Sequence, residues 1–314
     1  MKILIVGYFT ETSKINITSH FPENWNIVIV PPGKEMLHHI EDCQVLIPEH
    51  VKVDHSLLAN AKRLTLVQTG AGFDNVDIAA CTQHGIWVAN AAGVNAQAVA
   101  EHVMALLLSY YKNIPFLDAF MKNKIAEKQL DYTGSELKGK TIGIIGFGAV
   151  GKKVAEFCRV FDMNVLAYTR NANVQSDDFV KMTDFDHLVS TSDIISVHIP
   201  LTEQTKQLIN KAVFKMMKKT ALLINTARGR IVNERDLIAA LKNRDILGAC
   251  LDVFESEPLP IDSELRNLGN VILTPHTAGM PDGLKFHKKR YDFFVNNIKR
   301  VENGEEPESK LNQL

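Results

Sequence analysis

Arg228 in "NTARGR", Glu257 in "FESEP" and His276 in "TPHTAG" are side chains that together could move a proton and a hydride at a carboxylated carbon. An arginine offers a planar fork that matches a carboxylate and can polarise a neighbouring carbonyl oxygen. A histidine changes charge near neutral pH, and a carboxylate beside it fixes the ring and favours the cation. Singly, each has a plainer use. Arg228 could brace a loop, Glu257 could be a solvated acid before Pro258, and His276 could be a satisfied structural histidine after Pro275. All three, however, follow strand-like runs that succeed one another along the chain, and that joint placement favours catalysis. Glu255, two residues before Glu257, is the alternative carboxylate.

A second constellation precedes them. "TIGIIGFGAVGKKVAEFCRVF" runs from an apolar strand through Gly146, Phe147, Gly148, Ala149, Val150 and Gly151 into a helical pattern. In such a G-x-G-x-x-G turn the first glycine permits the tight bend and the second lets the backbone approach a pyrophosphate. The third allows close helix–strand packing, and the helix N-terminus faces the phosphates. The next strand, "NVLAYTR", ends on Thr169 and Arg170 where an NAD site usually carries a carboxylate for the adenine-ribose hydroxyls. Such a carboxylate would repel a 2′-phosphate. Thr169 removes the repulsion and Arg170 supplies a guanidinium, so the expected cofactor is NADPH in preference to NADH. Further strand ends bring His198 and Pro200, Thr226 and Ala227 beside Arg228, and Asp252.

The elements that must hold these residues alternate along the whole chain. Short β-branched runs at 2–9, 26–30, 44–48, 64–69 and 85–90 are separated by amphipathic stretches, and a long helical pattern covers 96–114. A polar connection at 122–140 leads to six further runs: "TIGIIG", "NVLAY", "IISVHIP", "ALLINTA", "ILGACLDVF" and "NVILTP". A final helical stretch spans 286–304. Strands alternating with helices predict an α/β protein with doubly wound parallel sheets, here two domains facing each other across a cleft. No internal repeat or low-complexity segment interrupts the pattern.

Bulk composition excludes several classes. Across 314 residues, 46% are apolar and 23% charged, and 35 basic against 36 acidic residues leave a net charge of −1. That balance gives no footprint for nucleic acid or an anionic membrane surface. "MKILIVGYFTE" lacks the long apolar region of a secretory signal, and no run reaches the roughly 18 residues of a membrane span. Cys43, Cys81, Cys158 and Cys250 are widely spaced, which predicts free thiols in the cytoplasm with no disulfide framework. No metal site is expected: His38 and His39 lack further ligands at suitable spacing.

At the motifs "GAGFDNVDIAACTQHGIWVAN", "AVAEHVMALLL", "GKTIGIIGFGAVG", "VHIPLTEQT", "INTARGRIVNERDLIAALK", "GACLDVFESEP" and "NVILTPHTAG" the sequence resembles the D-isomer-specific 2-hydroxyacid dehydrogenases over nearly its whole length. The resemblance implies that Arg228 binds substrate carboxylate and carbonyl, that His276 is the acid/base and that Glu257 pairs with it. It implies that Asp252 lies by the nicotinamide carboxamide and that His198, Pro200 and Thr205 of "VHIPLTEQT" line the cofactor. Gly70, Ala71 and Gly72 would cap the substrate carboxylate with backbone N–H groups. It further implies a flavodoxin-like substrate domain at 1–98 plus 285–314, a Rossmann cofactor domain at 99–284, and a homodimer. The expected substrate is a small 2-keto or 2-hydroxy acid, with glyoxylate, hydroxypyruvate and pyruvate-like compounds all fitting. Glutamate at 257 departs from the glutamine usual in formate dehydrogenases, and the chain ends at Leu314 with no regulatory domain of the phosphoglycerate dehydrogenase kind expected. Two rivals share the scaffold: a dinucleotide-sensing corepressor, and a dehydrogenase of an inorganic oxyanion such as phosphite.

Overall fold

The apolar runs form strands of two separate parallel sheets in a computed structural model that describes residues 1–49, 51–123, 134–170, 177–279 and 284–314. The chain divides into two compact units, Met1–Asn95 with Met280–Leu314, and Ala96–Gly279.

In the first unit the strands are β1 (Lys2–Val6), β2 (Asn26–Val30), β3 (Val45–Pro48), β4 (Leu66–Thr69) and β5 (Trp87–Asn90). They lie in the order β2-β1-β3-β4-β5, all parallel. Parallel sheets are covered on both faces, which is why these strands read as continuous apolar runs with no alternation. One face packs Tyr291, Phe294 and Ile298 of the helix Leu284–Glu302 against Ile3, Ile5, Ile47 and Leu66. The other buries Leu4, Leu46, Val67 and Val88 under the helices Lys34–Ile40 and Ile78–Gln83.

The second unit carries β6 (Thr141–Ile145), β7 (Asn164–Tyr168), β8 (Val180–Met182), β9 (Ile194–Val197), β10 (Leu222–Asn225), β11 (Gly248–Leu251) and β12 (Val271–Leu273). Their order is β12-β11-β10-β9-β6-β7-β8. The chain builds outward from β6 through β7 and β8, returns to β9, and then builds the opposite way. The reversal between β6 and β9 is the switch point at which doubly wound sheets bind ligands, beyond the carboxyl ends of the strands.

Two expectations change. The sheet has seven strands where six were expected: β8 is a three-residue edge strand in which only Val180 is buried, too short to show as an apolar run. The helix expected over 96–114 stops at Tyr111, Asn113 takes a left-handed backbone (φ 54°), and a second helix runs Ile114–Lys122 with Pro115 in its first turn. Proline fits there because its missing N–H would have had no partner. Of the polar connection at 122–140, residues 124–133 lie outside the described residues, and 134–140 contain no strand. Among the described residues no helix is long and apolar enough to cross a membrane.

Candidate active site

Gly146 follows β6 directly and has φ +102°, a conformation that side chains rarely adopt. A Cβ there would lie 2.5 Å from the carbonyl oxygen of His198, so the turn must be bare to pack against the end of β9. At Gly151 a Cβ would meet the Gly146 carbonyl at 2.2 Å, which is the close helix–strand approach expected of the third glycine. Gly148 differs, because a Cβ would meet nothing within 4 Å. It starts the helix Ala149–Val160 without a side-chain cap, so the first N–H groups of that helix and the open space beside Gly148 form a cradle for a phosphate. Phe147 is buried, with Lys152 Nζ 5.9 Å from its ring centre, while Ala149 is exposed and Val150 partly so.

A further orphan fits a bound dinucleotide. Thr226 Oγ1, just beyond β10, is buried and without a hydrogen-bond partner among the described residues. Buried hydroxyls are normally satisfied, so this one fits a ligand group. Beyond β7, Thr169 and Arg170 place no carboxylate at the strand end, and Arg170 Nη1 donates to Gln204 Oε1 at 2.8 Å. His198 Nε2 lies 2.8 Å from Ser196 Oγ, and burial pushes its pKa down to about 4, which keeps the ring neutral. Pro200 is exposed, and Thr205 is buried with its hydroxyl used inside the loop: it donates to Pro200 O at 2.6 Å and accepts from Thr202 N at 2.7 Å.

The three chemistry-bearing side chains come from the ends of neighbouring strands. The turn after β10 is braced by buried Asn225, whose Oδ1 accepts from Ala227 N (3.1 Å) and whose Nδ2 donates to Arg228 O (3.0 Å). Arg228 Nη1 donates to Ala227 O at 2.7 Å. Gly229 lets this turn lie on the segment after β11, since a Cβ would sit 1.9 Å from the Phe254 carbonyl carbon. Beyond β11, Glu257 Oε1 accepts from Phe254 N at 3.0 Å, and Oε2 lies 2.6 Å from His276 Nδ1. The Glu257 hydrogen bond raises the His276 pKa above its ordinary value against the opposing effect of burial, helped by the Glu257 charge. Burial works to raise Glu257, but the His276 bond, the Phe254 N–H and the charges of His276 and Arg228 hold it below the usual carboxylate value. Glu255 is occupied elsewhere, its Oε1 accepting from Glu234 N at 3.0 Å.

Asp252, at the end of β11, is fully buried. Its Oδ1 accepts from Thr274 Oγ1 (2.6 Å) and Thr277 N (2.9 Å), and its Oδ2 accepts from Ala278 N (2.9 Å). His102 Nε2, on the helix Ala96–Tyr111, lies 3.1 Å from Thr274 Oγ1. Neither His102 nor Thr274 stands out in the sequence, where one is a polar residue in an apolar helix and the other precedes "PH". Gly70, Ala71 and Gly72 follow β4 in the first unit. There Ala71 O accepts from Asn90 Nδ2 at 3.0 Å, and Gly70 lies against Arg290, itself paired with Glu49.

The family model described as D-isomer specific 2-hydroxyacid dehydrogenase, NAD binding domain, matches residues 104–278. Over 326 aligned residues the chain is 36% identical to the glyoxylate reductase of Thermococcus litoralis, covering 96% of this chain and 97% of that one. It is 42% identical over 237 residues to the D-3-phosphoglycerate dehydrogenase of Archaeoglobus fulgidus, covering 74% of this chain but only 45% of that longer protein. Among solved structures, NAD-dependent formate dehydrogenase from Staphylococcus aureus in complex with NAD superposes with a TM-score of 0.88 at 32% identity, covering 100% of this chain and 99% of that one.

Proposed function

Because this chain belongs to the D-isomer specific 2-hydroxyacid dehydrogenase family and is a nicotinamide-linked oxidoreductase, we propose that it reduces a small 2-keto acid to the D-2-hydroxy acid, using NADPH in preference to NADH. The observation that carries this reading is the 2.6 Å contact between His276 Nδ1 and Glu257 Oε2, with the Arg228 charge felt by both. The Arg228 guanidinium binds the substrate carboxylate and the C2 carbonyl oxygen, orienting the acid and polarising the carbonyl. Glu257 fixes the imidazole through Nδ1 and stabilises its cation, so that Nε2 can pass a proton to the C2 oxygen as the carbonyl becomes an alcohol. When bound, a reduced nicotinamide dinucleotide supplies the hydride that C2 accepts. Oxidation of a 2-hydroxy acid uses the same groups in reverse, with neutral His276 taking the hydroxyl proton.

Cofactor preference rests on Thr169 and Arg170, since the carboxylate that would repel a 2′-phosphate is lacking and a guanidinium stands beside the site. We assign the pyrophosphate to Gly146–Gly151, the nicotinamide side to Thr226, Ala227 and Asp252, and the substrate carboxylate also to the N–H groups of Gly70–Gly72. Glutamate at 257 favours a keto acid over formate. Two copies pair through the helix Ile114–Lys122, whose Ile114, Phe116 and Met121 are exposed. Four buried free thiols suit the reducing cytoplasm. The test is a panel of 2-keto acids assayed with NADPH and NADH. Turnover of one of them with NADPH supports the assignment, and failure of every acid with both cofactors overturns it.

A further inference from the structure

His276 stands on a left-handed backbone, φ 54°, a conformation that residues with a β-carbon adopt only when their surroundings enforce it. Besides a 3.1 Å bond from His276 N to Thr274 O, the contacts that hold it converge on one residue. His276 N donates to Asp252 O at 2.8 Å, and the next two N–H groups, of Thr277 and Ala278, donate to Asp252 Oδ1 and Oδ2 at 2.9 Å each. Three consecutive amides thus converge on Asp252, which has no exposure to water. A buried carboxylate holds such a geometry only while its oxygens are satisfied.

Among the described residues the remaining donor to Oδ1 is Thr274 Oγ1 at 2.6 Å. A hydroxyl has one proton and an ionised carboxylate can only accept, so the Thr274 proton points at Asp252. That leaves the Thr274 oxygen as an acceptor toward His102 Nε2 at 3.1 Å, and fixes the His102 tautomer with its proton on Nε2. His102 Nε2 is also 3.6 Å from Asp252 Oδ1, so its dipole favours the carboxylate directly. The chain of donors runs from a helix residue through a loop hydroxyl to the carboxylate that clamps the backbone of His276.

We propose that His102 and Thr274 are positioning residues that act through Asp252 to hold the His276 backbone, and so hold its imidazole against Glu257. The proposal rests on the assignment of His276 as the proton carrier only for its effect on turnover, because the placement of the ring can be read without any reaction. Among the described residues the charges acting on His276 are Glu257, Arg228 and Asp252, and Glu257 dominates. Loss of the clamp loosens the Nδ1–Oε2 contact and removes the main influence that holds the imidazolium.

The experiment follows the His276 imidazole through a pH titration by NMR in the full chain, with the signal assigned from His276→Asn. In Thr274→Val and His102→Leu the titration moves down toward the ordinary histidine value of about 6.5. In Thr274→Ser, and in His102→Gln, whose amide N–H can reach the place of Nε2, it stays where the wild type has it. In a Glu257→Gln background His102→Leu produces no further shift. With a keto acid that the wild type reduces, Thr274→Val and His102→Leu lower kcat on the order of ten- to a hundredfold with KM little changed. If both variants titrate His276 as the wild type does and lose only thermal stability, His102 and Thr274 are structural and the proposal fails. If no keto acid is reduced, the titration alone still decides it. Should Thr274→Val not fold, the His102→Leu and His102→Gln pair carries the same comparison.

Discussion

Glu257 is the residue whose removal gives the sharpest test of the proposed chemistry, because it touches the imidazole and among the described residues no other ionisable partner acts on it as strongly. Its hydrogen bond raises the His276 pKa, so the protonated form needed for keto-acid reduction persists to higher pH than in a free histidine. Reduction, followed as kcat/KM, therefore declines as pH rises through that elevated value. Glu257→Gln keeps the size but removes the charge, so the decline begins at lower pH, and the rise of the oxidation rate with pH moves down with it. Loss of folding cannot produce a matched displacement in both directions, and unchanged profiles would sever Glu257 from His276. Thr169 permits a second test at this scale. Thr169→Asp brings a negative charge to the end of β7 and turns the preference away from NADPH. A charge-assisted contact is worth about 1.5–3 kcal/mol, so the relative specificity should change by more than about tenfold. Equal use of both cofactors by wild type and variant alike would remove Thr169 and Arg170 from cofactor choice.

The strands that carry these residues were legible because parallel sheets bury both faces and write themselves as apolar runs, from "KILIV" to "NVIL". Four features were not legible, each for a physical reason. The strand Val180–Met182 sits at an edge with one partner and one buried residue, leaving no pattern to read. The break after Tyr111 interrupts apolar spacing that continues into the next helix, so only Asn113 and Pro115 mark it. The bonds from Asp252 to 274, 277 and 278 are tertiary and leave no local trace in the sequence. The glycine of "TARG" belongs with these. Its role depends on the approach of Phe254, 25 residues later, and spacing alone does not reveal that contact. Gly229→Ala would place a methyl 1.9 Å from backbone that cannot rotate aside, so the turn bearing Arg228 must move off the segment bearing Glu257. Overpacking of this kind typically costs about 1–3 kcal/mol and the shift also displaces the guanidinium, so both melting temperature and turnover should fall. A variant with wild-type activity and stability would contradict the close approach.

At the scale of the whole molecule the question is association. The helix Ile114–Lys122 buries none of its residues, yet Ile114 and Phe116 are each 53% exposed and Met121 71%. The Phe116 and Phe120 rings lie 6.1 Å apart, tilted by 31°, concentrating apolar surface on a single element. Monomers rarely leave apolar side chains clustered in water, and a net charge of −1 gives two copies little reason to repel. A two-fold pair would bring the same helix of each copy together and bury these residues symmetrically. Wild-type protein should therefore sediment as a dimer at micromolar concentration. Phe116→Glu would have to bury a carboxylate in that contact, which is costly without a partner, so it should sediment as a monomer while keeping its circular dichroism. Phe116→Leu, apolar and nearly as large, should remain dimeric and separates loss of the apolar contact from loss of the helix itself. A wild type that is monomeric across the concentration range, or a Phe116→Glu variant as dimeric as the parent, would remove this helix as the interface.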